Sequence, residues 1–144
     1  MTIEKFRHEQ IAEVKFLLDV CFGSGAWSVE AIRSQLEKPD SRCTVAIDND
    51  AVVGFLAFEQ IADEGCVVEL AVHPDYRRQG VARALLCSAV ENSSSKEIFL
   101  EVRESNIAAI SLYESLGFMR VGVRTAYYDH PKEDAVLYQK KSDS

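Results

Sequence analysis

Three features that mark large classes of proteins are missing from this sequence. The apolar stretch "AVVGFLAF" is far shorter than the roughly 20 residues that cross a bilayer, so we expect no membrane partner. The start, "MTIEKFRHEQ", lacks the apolar run of a signal peptide, which predicts a cytoplasmic protein. The four cysteines form no C-x-x-C pair, and three lie in apolar contexts ("DVCF", "GCVV" and "LLCS"). We therefore predict reduced core thiols and no metal site.

An excess of basic charge is missing too. The chain has 16 Lys and Arg against 23 Asp and Glu, which gives a formal net charge of −7. Nucleic acids bind to basic faces, so we expect no nucleic-acid partner. Neither G-x-x-x-x-G-K-[ST] nor G-x-G-x-x-G occurs, which disfavours a nucleoside triphosphatase and a dinucleotide-dependent dehydrogenase.

The patterns that are present predict one mixed α/β domain over residues 1–144. They indicate a strand near Ile3, two helices, three strands, a helix, a strand, a helix that Gly117 ends and two final strands. The central strand–helix–strand units require parallel pairing, whereas the short turn "DND" favours a hairpin on one flank. The expected fold is a mixed central sheet with helices on both faces.

The segment "YRRQGVARALL" connects a predicted strand to a predicted helix. Backbone N–H groups and the positive end of the helix dipole attract anions at such a junction. Gly80 has no Cβ, so phosphate oxygens can approach the backbone there, and Arg78 and Arg83 add positive charge. A solvated turn with a glycine near the helix start explains the same residues, so both interpretations stay open.

Residues 77–82, "RRQGVA", fit the R/Q-x-x-G-x-G/A signature of the GNAT superfamily of N-acetyltransferases. The segments "ELAVHPDYRRQGVARALL", "LEVRESNIAAISLYESLGF" and "YYDHPKEDAVLY" resemble the bacterial subfamily that acetylates the N-terminal alanine of a ribosomal protein. The resemblance covers nearly the whole chain in matching order. It implies an acetyl-CoA-dependent enzyme with about four helices on a mixed sheet that is splayed between the fourth and fifth strands.

The resemblance also implies roles for individual residues. The backbone at the end of the fourth strand would pair with the pantetheine arm of acetyl-CoA, through Leu70, Ala71 and Val72. Backbone amides of the following loop and helix start would hold the pyrophosphate, at Arg78, Gln79, Gly80, Val81, Ala82 and Arg83. Asn106 would bind the pantetheine further along, Glu101 would be the general base and Tyr113 the general acid.

Residue patterns support two carboxylates as proton acceptors. In "EIFLEV", Glu101 shares a strand face with Phe99, which predicts partial burial near the strand end where α/β sheets bind ligands. Partial burial raises the pKa of a carboxyl group and makes it a better base. Glu69 holds the equivalent position on the neighbouring strand and is the second candidate. A structural ion pair with Arg103 or Arg124 is the alternative role for Glu101.

Three tyrosines are candidates for the acceptor site. Tyr113 lies on the inward side of its predicted helix, where it is either the proton donor or a core residue. Tyr127 and Tyr128 are adjacent on a predicted strand, so they should point to opposite faces. We expect at most one of them to line the acceptor site together with Glu69.

We therefore predict a transfer of acetyl groups from acetyl-CoA to a primary amine, without a metal. The preferred acceptor is the N-terminal alanine of a ribosomal protein or a similar protein N-terminus, because an acidic groove suits a basic peptide. A GNAT enzyme for small amines or lysine side chains is one alternative, and a regulatory module that binds acyl-CoA is another. We expect a monomer or weak dimer.

Overall fold

The computed structural model describes residues 1–129 and 131–141. These residues form seven β-strands and four α-helices in the order that the sequence predicts. The strands are β1 (Thr2–Lys5), β2 (Thr44–Asp48), β3 (Ala51–Ile61), β4 (Glu64–Val72), β5 (Glu97–Arg103), β6 (Met119–Tyr128) and β7 (Glu133–Lys141). The helices are α1 (Ile11–Phe22), α2 (Val29–Glu37), α3 (Val81–Glu91) and α4 (Ile107–Ser115).

The strands form one mixed sheet in the order β1-β2-β3-β4-β5-β7-β6. The pairs β1–β2, β2–β3, β5–β7 and β6–β7 are antiparallel, and β4 pairs with β5 in parallel. The β4–β5 register runs from Glu64 opposite Glu97 to Cys66 opposite Phe99, at the beginning of both strands. The predicted mixed α/β sheet is confirmed, and its strand order is consistent with the predicted splay between β4 and β5.

The chain divides into two compact units, of which the first comprises Met1–Gln60 and Val68–Ser93. Its core contains Phe6, Ile11, Val14, Leu17, Leu18, Ile32, Val45 and Phe55. Ser28 caps α2, as its hydroxyl accepts the N–H of Ala31 at 3.1 Å. Gly54 lets α3 pack closely on β3, because a Cβ there would lie 2.8 Å from Val81 Cγ1. A side chain at residue 54 would therefore collide with the first residue of α3.

The second unit comprises Ile61–Val67 and Ser94–Ser144. In β5 the side chains of Ile98, Leu100 and Val102 are buried, while the intervening residues are half-buried. This alternation agrees with the predicted two faces of the strand. Gly117 ends α4 with a φ of +92°, and the N–H of Phe118 returns to the carbonyl of Tyr113 at 3.0 Å. The predicted glycine stop of α4 is thereby confirmed.

Two further predictions concern cysteines and membranes. The four cysteines, all within the described residues, form no disulfide, and only Cys43 is buried. Cys66 is exposed, so the prediction of a core position for it is wrong: its side chain lies on the uncovered face of β4. Within residues 1–129 and 131–141, none of the helices combines the length and the hydropathy needed to traverse a bilayer.

Candidate active site

The loop before α3 is the segment for which the sequence leaves both an anion site and a solvated turn open. Gly80 is the N-cap of α3 and has a φ of +80°, a left-handed conformation that favours glycine. Arg78 also has a positive φ, +63°. Because N–H groups in the first turn of a helix have no partner within the helix, those of Val81 and Ala82 are oriented toward the space before α3.

The end of β4 is bonded within the first unit. The carbonyl of Val72 accepts the thiol of Cys21 at 3.3 Å and Nε of Arg77 at 3.4 Å. The N–H of Leu70 donates to Oε1 of Glu69 at 3.3 Å. The three residues predicted to pair with pantetheine thus lie in one extended segment, in which Ala71 is buried and Leu70 and Val72 are half-buried.

Glu69 is the titratable group with the most unusual surroundings in the first unit. Its side chain is half-buried, and burial raises the pKa of its carboxyl group to about 7. The N–H of Leu70 works in the opposite direction and offsets part of this increase. A carboxyl group with this pKa exchanges its proton near neutral pH, as a general base must.

Glu101 has different surroundings, on β5 in the second unit. Its side chain is 29% exposed, and Oε1 lies 3.1 Å from Nε of Arg124. The negative charge of Glu101, together with the hydrogen bond that it accepts from the hydroxyl of Tyr127, raises the pKa of Tyr127. The guanidinium carbon of Arg124 lies 5.6 Å from the centre of the Tyr127 ring. The alternative of an ion pair with Arg124 therefore describes Glu101 in this structure.

A bulge in β6 brings Tyr127 to Glu101. Arg124 pairs with Ala135 and Tyr128 with Glu133, so β6 has two more residues than β7 in this interval. Within it Ala126 has a φ of +52°, and its N–H donates to Oδ1 of Asp134 at 2.7 Å. A bulge of this kind redirects side chains at the edge of a sheet.

The same bulge corrects the prediction that Tyr127 and Tyr128 point to opposite faces. Their ring centres lie only 5.1 Å apart, in an edge-to-face contact. Tyr127 contacts Glu101, and the ring of Tyr128 lies 4.4 Å from the guanidinium carbon of Arg103. Since Glu101 and Arg103 share one face of β5, both tyrosines are on that face.

Arg103 anchors the connection between β6 and β7, a role that the sequence analysis missed. Its Nη1 donates to the carbonyl of Pro131 at 3.1 Å and lies 3.2 Å from Oε1 of Glu133. Its Nη2 donates to the carbonyl of Asp129 at 3.1 Å. Hydrogen bonding from Ser105 and pairing with Arg103 lower the pKa of Glu133. The signal was available in the spacing of Arg103, two residues after Glu101 on one face of a strand.

Tyr113 is a buried residue of α4, and Asn106 is the residue that caps the N-terminus of the same helix. Tyr113 is 6% exposed and packs edge-to-face against Phe118, with ring centres 5.9 Å apart. Its ring also lies 6.5 Å from that of Tyr138. Asn106 is the N-cap of α4, and its side-chain oxygen accepts the N–H of Ala109 at 3.2 Å. Their predicted parts as general acid and pantetheine ligand stay predictions.

The structure thus assembles the predicted site residues in two groups. The first unit contains the β4 segment with Glu69 and the loop of residues 78–83. The second unit brings together Glu101, Tyr127 and Tyr128, and adds Arg103 and Arg124 to them.

Comparisons with known proteins agree with this arrangement. The profile of the acetyltransferase (GNAT) family matches residues 11–118. The ribosomal protein bS18-alanine N-acetyltransferase of Escherichia coli (strain K12) is 42% identical over 94 residues, which span 62% of this chain but only 64% of that protein. The N-alpha-acetyltransferase RimI of Mycobacterium tuberculosis is 31% identical over 138 residues, or 93% of this chain and 86% of the relative. The crystal structure of the ribosomal-protein-S18-alanine N-acetyltransferase from Escherichia coli matches with a TM-score of 0.91 at 30% identity, covering 97% of this chain and 92% of that one.

Proposed function

The chain belongs to the acetyltransferase (GNAT) family, and we propose that it transfers an acetyl group from acetyl-CoA to the α-amine of a protein N-terminus. The observation that carries this proposal is the loop before α3, with left-handed Gly80 at the helix start. Pyrophosphate oxygens can accept several N–H groups there at once. The resemblance of residues 77–82 to the family signature concerns the same backbone.

The acetyl-CoA ligands are then backbone groups for the most part. The N–H groups at residues 78–83 bind the pyrophosphate, and Arg78 adds a positive charge that is exposed to solvent. The extended segment from Leu70 to Val72 pairs with the pantetheine amides. Since Arg77 and Cys21 bond the Val72 carbonyl, pantetheine has to use the remaining groups of this segment or displace those two side chains.

The preferred acceptor in this proposal is an N-terminal alanine on a ribosomal protein. Two relatives carry names that describe this modification or α-acetylation in general, and both are more than 30% identical to this chain. A net charge of −7 favours encounter with a basic protein. Ribosomal proteins are made in the cytoplasm, so this acceptor also implies a cytoplasmic enzyme.

Acetyl transfer requires a neutral amine, because an ammonium group has no lone pair for the attack on the thioester. An α-amine has a pKa of about 7.7–8.0, so a proton must leave at neutral pH. Glu69, with a pKa of about 7, has the proton affinity suited to accepting it. Glu101 is the base that the family resemblance implies, and it becomes the alternative in this proposal because its carboxylate is already paired with Arg124. The departing thiolate needs a proton in turn, which the hydroxyl of Tyr113 can donate.

The decisive experiment offers acetyl-CoA and several amines to the purified protein and identifies products by mass. The panel contains a basic hexapeptide that begins with alanine, the same peptide with its α-amine blocked but an internal lysine free, and a polyamine. The proposal expects acetylation of the first peptide only. Modification of the lysine or the polyamine instead would select the small-amine or lysine alternative.

A calorimetric titration with acetyl-CoA separates enzyme from binding module. Binding of acetyl-CoA together with acetylation of the alanine peptide supports the proposal. If the protein binds acetyl-CoA but acetylates none of the amines, the regulatory-module alternative replaces it.

A further inference from the structure

Arg124 is attached to the rest of the second unit by few contacts. Within residues 1–129 and 131–141 its side chain interacts with the carboxylate of Glu101, at 3.1 Å, and with the ring of Tyr127, at 5.6 Å. The side chain is 58% exposed, twice the exposure of its partner Glu101 at 29%. Arg124 therefore neutralises a carboxylate that is better shielded from water than the arginine itself.

Arg103 offers a comparison within the same sheet. It bonds two backbone carbonyls and the carboxylate of Glu133, stacks on Tyr128 and is 33% exposed. Removal of Arg103 would leave several acceptors without a donor. Displacement of Arg124 would leave only Glu101 without its cation, and another cation could take that place.

The cluster of Glu101, Tyr127 and Arg124 has the chemistry of a site for an ammonium group. A carboxylate binds an ammonium ion by charge and hydrogen bonding, and a tyrosine ring attracts the same ion through its π face. An exposed ion pair contributes little to stability because water competes for both partners. Exchange of Arg124 for an incoming ammonium leaves Glu101 paired throughout, so no uncompensated carboxylate is created.

We propose that Arg124 is a resident counterion of Glu101 that the ammonium group of the acceptor displaces on binding. This inference rests on the proposed function, because it names the group of the acceptor that the second unit recognises. The N-acetylated product carries no charge at the former amine. The product therefore cannot compete with Arg124 for the carboxylate of Glu101. The renewed ion pair between Arg124 and Glu101 favours release of the product.

The test is the variant Arg124→Met, with Arg120→Met as its matched control. Both changes remove one exposed positive charge from β6, but Arg120 has no contact with Glu101. With the alanine hexapeptide, Arg124→Met should lower KM about two- to fivefold, the contribution typical of an exposed ion pair, and leave kcat unchanged. Arg120→Met should leave both constants unchanged, and Arg124→Lys should restore a KM close to that of the unaltered protein.

A calorimetric titration without acetyl-CoA gives a second readout that needs no turnover. Arg124→Met should bind the free-amine peptide more tightly than the unaltered protein does, and should bind the N-acetylated peptide equally weakly. Two outcomes would overturn the inference while the proposed function stands. One is that Arg124→Met leaves both the KM and the affinity for the peptide unchanged, and the other is that Arg120→Met lowers the KM as much as Arg124→Met does. If the unaltered protein binds the peptide, and Arg124→Met binds it more tightly, but neither transfers an acetyl group, Glu101 and Arg124 form an ammonium site while the proposed function fails. If the peptide neither binds nor is acetylated, both fail.

Discussion

The strands β4 and β5 each carry a half-buried glutamate, and the two carboxyl groups differ in one respect. Within the described residues Glu69 has no cation beside it, and burial raises its pKa to about 7. Glu101 has the guanidinium of Arg124 at 3.1 Å and the hydroxyl of Tyr127 as a hydrogen-bond donor. A buried carboxyl group without a cation becomes a proton acceptor near neutral pH, whereas a carboxylate paired with an exposed cation offers a place at which another cation can bind. The same residue type therefore suits two different tasks.

The largest effect should come from Glu69→Gln. If Glu69 is the base, its loss should lower kcat about 10²- to 10⁴-fold. In the unaltered protein kcat should rise with pH through about 7, because only the ionised carboxylate accepts a proton. This rise should be absent from the variant. Initial rates with the alanine hexapeptide across the pH range, followed by mass, provide the measurement.

Glu64→Gln is the matched control for that substitution, since Glu64 is an exposed glutamate on the same strand. It should leave the pH profile unchanged. A kcat of Glu69→Gln equal to that of the unaltered protein would contradict the role of Glu69 as base and favour Glu101.

A smaller effect, on binding rather than on turnover, is expected for Glu101→Gln. Loss of a charge-assisted hydrogen bond to the ammonium should raise KM for the peptide about tenfold or more. If the comparison of the two glutamates is correct, kcat should fall much less than it does in Glu69→Gln. Steady-state kinetics of both variants, prepared in parallel, test this. A collapse of kcat with KM unchanged would contradict the assignment.

The two arginines beside these residues should differ in their effect on stability. Arg103→Met should lower the free energy of unfolding by about 2 kcal/mol, because the carbonyls of Asp129 and Pro131 lose their Arg103 donor and the carboxylate of Glu133 loses its cation, keeping only the N–H of Ser105. Arg124→Met should change it by less than about 0.5 kcal/mol. Urea denaturation followed by circular dichroism measures both. Equal losses would mean that Arg124 is as structural as Arg103.

The smallest effect is on the pH dependence of stability. The folded state holds the proton of Glu69 more tightly than the unfolded chain does, so this contribution is complete below pH 4.5 and disappears as the pH rises through about 7. Glu69→Gln should therefore become more stable relative to the unaltered protein between these limits, by about 1 kcal/mol after allowance for solvent screening. Urea midpoints at both ends of that range provide the test. A constant difference would show that the ionised carboxylate is not destabilised by burial.

The sequence was sufficient for the elements that depend on near neighbours in the chain. The alternation of apolar residues in β5 predicted its two faces, Gly117 predicted the end of α4, and Gly80 marked the start of α3. Each of these rests on interactions within a few residues. The exposure of Cys66 could not be predicted from its neighbours in the sequence, because apolar neighbours do not specify which face of β4 is covered.

The candidate site was only partly predictable for the same reason. That Glu101 could pair with an arginine was foreseeable, but which arginine depends on the register of β6 against β7. The bulge at Ala126, stabilised by the carboxylate of Asp134, places Tyr127 and Tyr128 on one face, against the alternation that a regular strand requires. The local sequence "TAYY" contains no glycine or asparagine, so it does not predict the left-handed conformation of Ala126.

By itself the sequence determined the order of the elements, the faces of β5 and the position of a glycine at the start of α3, because periodicity and backbone preference act locally. Only the tertiary structure decided that burial shields Glu69 and that Glu101 is paired with Arg124. Burial and ion pairing depend on groups that are distant in the chain, and their positions follow from strand register and packing. The roles that we propose, proton transfer for Glu69 and binding of an ammonium group for Glu101, rest on that packing.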